Sequence, residues 1–134
     1  MMNNADDKVT GCENCWPATA EAAWKARCQL GHTKELIDES HYHVMIMACA
    51  QCGQKYLSVF TEMIDWQEGD DAQYWTSVPV TESEATNLAQ RGAELTEDEI
   101  NETGASKQAL CRDYPTGGNP AVYWGKGITV GPHD

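Results

Sequence analysis

The sequence predicts an α+β fold: a three-stranded antiparallel sheet flanked by an N-terminal helix and C-terminal helices. Three observations predict it. Period-two runs of apolar residues recur between residues 41 and 80, divided by short polar reversals. An alanine-rich run over residues 17–30, with apolar residues at helical spacing, comes before them. Two Thr-x-x-Glu pairs, Thr81 with Glu84 and Thr96 with Glu99, come after them and have the form of capping boxes.

The 134 residues, 41% of them hydrophobic, suit one domain over 1–134. Residues 1–10 read as a flexible lead-in, 11–80 as the first helix and the sheet, and 81–134 as an acidic helical and loop-rich extension. Pro17 opens the first helix, Trp24 is its expected core anchor, and Gly31 its stop. Residues 31–40 read as a polar connection. His41 to Ala48 carries apolar residues on both faces, as a central strand does, and Tyr56 to Ile64 repeats that pattern. Gln73 to Val80 is the third strand, with Pro79 pointing to an edge position or a strand end. Two short helices follow, one ending at Gly92 and one near Gly104. SKQALCRDY suggests a further turn of helix, and the turn-rich tail holds a short strand from Ala121 to Trp124.

The chemistry lies in two Cys-x-x-Cys pairs. Cys49-Ala50-Gln51-Cys52-Gly53 joins two strands and has the form of a metal knuckle, with Gly53 supplying a permissive backbone. It offers two ligands, whereas a closed tetrahedral site needs four. Cys12-Glu13-Asn14-Cys15 is the complement, with 33 residues between the pairs. On CENC, CAQCG and the hairpin around it, residues 12–65 resemble the zinc-ribbon class, in which two such pairs clasp one zinc beside a β-sheet. That resemblance implies one structural zinc held by Cys12, Cys15, Cys49 and Cys52, and no activity. The chain departs from the ribbon pattern at CENCWP, which lacks the knuckle glycine and runs into a helix. Zinc rather than iron is the expected metal.

Other chemistries are poorly served. A thioredoxin-like reading of Cys12 and Cys15 needs a strand feeding the motif, and MMNNADDKVT does not resemble one. The zinc-deaminase, nucleophile-elbow and His-Glu-x-x-His signatures are missing. Cys28 with His32, and His41 with His43, are weaker ligand pairs, and Cys111 reads as a small buried hydrophobe. No apolar run is long enough to cross a bilayer, and no secretory signal opens the sequence, so a cytoplasmic protein is expected.

Charge supplies the functional expectation. The net charge is −12, and twelve carboxylates lie between Glu62 and Glu102 against the single base Arg91. Such a surface repels phosphate backbones and favours a basic protein partner. Glu68, Asp70, Asp71, Asp98 and Glu99 are the expected contact residues of a non-catalytic interaction module, an inhibitor or immunity-like protein by analogy of charge. The rivals are an enzyme whose site includes Asp113, Tyr114 or His133 in the tail and, behind it, a nucleic-acid-associated ribbon. Oligomeric state has no signature in the sequence.

Overall fold

A computed structural model describes residues 11–128, 130, 131 and 133. The expected lead-in at 1–10 lies outside the described residues. The three-stranded sheet is corrected to six: β1 (Gly31–Glu39), β2 (Tyr42–Ala48), β3 (Lys55–Met63), β4 (Ala72–Val80), β5 (Gln108–Tyr114) and β6 (Ala121–Lys126). They form one antiparallel meander in chain order. Three helices, α1 (Ala20–Arg27), α2 (Glu82–Arg91) and α3 (Glu97–Gly104), complete the α+β architecture. None of them is long and apolar enough to cross a membrane.

The missed strands have physical explanations. The expected connection at 31–40 is instead β1, an edge strand broken by two register shifts that buries only Leu36 and Ile37, which gives it a polar sequence. The expected helical turn at 106–114 rests on Leu110 and Cys111, which are consecutive and apolar. On β5 they go to opposite faces, Leu110 beneath α1 and Cys111 into the larger core. Pro79 is not on an edge strand, since β4 lies between β3 and β5. It stands beyond the last β4–β5 pair, Ser77 with Leu110, where its missing N–H leaves no gap in that ladder.

The larger core lies on one face of the sheet. Val44, Ile46, Leu57, Val59 and Val78 meet Leu88, Leu95 and Ile100 from the helical segment. Both capping boxes form: Thr81 and Thr96 each accept from the N–H three residues on, and Glu84 and Glu99 reach back. Gly92 ends α2 with φ +55°. The tail returns over the same face, with Ile128 packed where a side chain at Gly104 would collide and the His133 ring stacked 4.3 Å from Tyr42.

The opposite face carries α1, which is shorter than the expected 17–30 and is capped by Thr19. Its buried residues are Ala20 and Ala23, small enough for close approach, and not Trp24. Trp24 stands edge-on to Trp75 at 5.6 Å, with the Arg27 and Arg112 guanidiniums over its ring. Arg27 also donates to Ser58 at 2.9 Å.

Candidate metal centre

The β2–β3 turn and the segment before α1 meet at one end of the sheet. In the first, the Gly53 N–H donates to the Cys49 carbonyl at 2.9 Å, the Cys49 N–H to the Gln54 carbonyl at 3.0 Å, and Gly53 takes φ +80°. In the second, the Cys15 and Trp16 N–H groups both donate to the Cys12 carbonyl, at 3.2 and 2.8 Å. Each segment is thus a tight turn that aims two sulfurs the same way. Trp16 then fixes the second turn to the sheet by stacking on Tyr56 at 5.2 Å, packing on Trp124 at 4.9 Å and donating to Gln108.

The structure brings together all four sulfurs expected from the sequence, each within 4.8 Å of the others. Cys12 lies 3.8 Å from Cys15 and 3.8 Å from Cys49, and Cys15 lies 3.7 Å from Cys52. A regular tetrahedron of thiolates around an ion at about 2.3 Å has edges of about 3.8 Å. These separations greatly exceed the roughly 2.0 Å of a disulfide, and all six cysteines are free. The group is therefore compatible with one tetrahedral metal ion.

Its surroundings act on the thiols unequally. Asn14, two residues after Cys12, holds the Cys12 thiol down to about 7 through its backbone N–H. Burial pushes the Cys52 thiol up, against the opposing backbone N–H of Gln54. Burial pushes Cys15 up to about 12, opposed by the Tyr56 hydroxyl at 3.0 Å and the Cys12 N–H at 3.3 Å. Tyr56 itself is pushed well above its ordinary value, chiefly by burial, so it stays a donor. A cation among the sulfurs offsets the penalty that burial places on their charge.

Three positions that hold this site together were not singled out in the sequence. Gly11 has φ +68°, and a Cβ there would lie 2.3 Å from the Tyr56 hydroxyl and 2.9 Å from the Cys15 sulfur. It is the glycine that CENCWP lacks after its second cysteine, placed before the first instead. Tyr56 is the second. The third, Gln54, accepts from the Gly11 N–H and donates to the Lys55 and Val80 carbonyls, tying the N-terminal turn to the sheet.

The expected partner-binding acids lie elsewhere and differ among themselves. Asp70 accepts from the Gly117 N–H, and its carbonyl accepts from Thr116, so it joins the β3–β4 and β5–β6 loops. Asp71 accepts from the Asp65 N–H at 2.8 Å, and Glu99 completes a capping box and binds Arg91 at 2.8 Å. Glu68 and Asp98 are exposed, and their side chains make no hydrogen bond or ion pair among the described residues. The tail residues of the rival active site disperse. Asp113 lines a cavity, Tyr114 lies beneath Arg112 on the other face, and His133 stacks on Tyr42 and meets Glu97 at 3.3 Å. Among the described residues, Cys28 and His32 join no ligand group. His41 pairs with Glu62 and His43 with Asp38, each at 3.1 Å.

No family model, curated protein or solved structure matches this chain. What can be said of its chemistry rests on its own geometry.

Proposed function

We propose that the protein is a zinc-stabilised, non-catalytic interaction module that engages a basic protein through the end of its sheet opposite the metal centre. One structural zinc held by Cys12, Cys15, Cys49 and Cys52 leaves no open coordination position, so its role is to pin the N-terminal turn and α1 to the sheet. Thiol ligation needs reduced cysteines, which fits residence in the cytoplasm.

The observation that carries the binding half is where the acids collect. The cysteines cap the Ala48–Lys55 end of β2 and β3. The Tyr42–Met63 end is flanked by the β3–β4 loop with Glu68, by Asp38 and Glu39 at the end of β1, and by the start of α3. Glu97 in that first turn reaches His133, whose ring lies on Tyr42, which places Asp98 at the same end. Among the described residues the Glu68 and Asp98 side chains make no hydrogen bond or ion pair, which leaves them available to an outside partner. Glu68→Gln with Asp98→Asn is therefore the test, since it keeps the Asp70, Asp71 and Glu99 contacts. In a native pull-down with mass spectrometry, the wild type should retain a basic protein that is released by salt and lost from the double variant. A partner retained equally by both would contradict the reading.

A further inference from the structure

The larger core does not extend to the outer part of the sheet, and a cavity of about 310 Å³ opens there. Thr76 and Cys111 form its floor, a register pair on β4 and β5. Tyr74 and Tyr123 stand on either side with Asp113, and the main chain at Gly131 closes one wall. The tail comes close enough that a Cβ on Gly131 would lie 2.6 Å from the Thr61 hydroxyl and 3.4 Å from the Tyr74 ring. Gly125, paired with Ala109, keeps the floor open, because a Cβ there would lie 3.0 Å from the Cys111 sulfur.

The charge inside is one-sided. Asp113 accepts from the Tyr123 hydroxyl at 2.8 Å and makes no ion pair among the described residues. Arg112, its neighbour, alternates to the other face and sits over Trp24 and Trp75. Lys126 lines the cavity, but strand alternation directs its side chain to that same opposite face. A carboxylate flanked by two tyrosine rings, above the Thr76 and Cys111 floor, suits a cation whose small apolar body packs on the rings. The acid meets the charge, and the two tyrosine rings lining the space supply aromatic surface for the cation. The groups of three or more metal-ligating side chains among the described residues lie elsewhere, at the four cysteines and at Glu35, Asp38 and His43. The volume matches the lower range of small-molecule sites, and the net charge of −12 raises the local concentration of cations.

We propose that this cavity binds a compact organic ammonium, a primary or quaternary amine on a small apolar group, with Asp113 as counter-ion and Tyr74 and Tyr123 as walls. The site is separate from the metal centre and includes neither Glu68 nor Asp98.

The test is an NMR titration of the isotope-labelled full chain at neutral pH with benzylammonium, and with benzyl alcohol as its uncharged counterpart. Benzylammonium should shift the amides of Tyr74, Cys111, Asp113 and Tyr123 saturably, with a Kd on the order of 1 mM or tighter. Benzyl alcohol and Asp113→Asn should each weaken binding at least about tenfold, one removing the ligand's charge and the other the protein's. Equal binding of benzyl alcohol to the wild type would overturn the proposal without recourse to any variant. So would benzylammonium shifts confined to Glu68, Glu97 and Asp98, or unchanged binding to Asp113→Asn.

Discussion

The two ends of the sheet solve opposite electrostatic problems. At the Cys49 end, four sulfurs share one small volume, with Cys15 and Cys49 buried, and the donors around them are main-chain N–H groups and Tyr56. Among the described residues, no basic side chain pairs with them. At the Tyr42 end the carboxylates are spread out and handled singly. Asp65 accepts from the Gln67 and Glu68 N–H groups, Glu62 meets His41 and Gln73, and Glu97 meets His133. A concentrated charge needs a compensating ion, and the whole group stands or falls together. Dispersed charge is met by water and by single partners, each contributing little. Substitutions at the two ends should therefore differ sharply in effect.

The largest effect is expected from Cys49→Ala, which opens the tetrahedron. Bound metal should fall from one equivalent to none, and Tm by more than about 10 °C, measured by elemental analysis and calorimetry. Gly11→Ala comes next. It combines a left-handed backbone position with a collision against Tyr56 and Cys15, and should lower stability by about 2–3 kcal/mol in denaturant unfolding. Tyr56→Phe keeps the ring stacked on Trp16 but removes the hydroxyl donor to Cys15. It should cost about 1–2 kcal/mol and release metal to a chelator at least tenfold faster.

The remaining effects belong to the other end. The Gln73 amide, with His41 behind it, holds the Glu62 carboxyl below its ordinary value of 4.5 against the opposing effect of burial. Its folded pKa therefore lies below its unfolded one. The resulting stability is present above that ordinary value and is lost as pH falls through the lowered one. Glu62→Gln should reduce Tm at neutral pH, with the two curves converging in acid. The smallest effect is expected from Glu68→Gln with Asp98→Asn, within about 0.5 kcal/mol of wild type in unfolding, and the same variant should lose the proposed partner. A large stability loss there would break the contrast between the ends.

What the sequence made legible was local. Both capping boxes need a threonine and a glutamate three positions apart, and each cysteine pair needs two thiols at the same spacing, so these were visible within a few residues. Features set by tertiary partners were not. β1 is a strand because β2 offers it a ladder, despite HTKE at its start. β5 buries neighbouring side chains because both faces of the sheet are covered, a condition that nothing in SKQALCRDY announces. Tyr56 and Gln54 meet the N-terminal turn 41 and 43 residues away in the chain, beyond the reach of a spacing argument. The acidic stretch was legible as charge. Which of its carboxylates hold loops and which remain free depended on hydrogen bonds from Gly117, Asp65 and Thr96.

The proposed closed zinc site at Cys12, Cys15, Cys49 and Cys52 can be observed spectroscopically. X-ray absorption at the zinc edge of the purified full chain tests it most directly. One zinc per chain is expected, surrounded by four sulfurs at about 2.3 Å. A shell containing nitrogen or oxygen, or a metal-free protein whose Tm does not change on adding zinc, would contradict it.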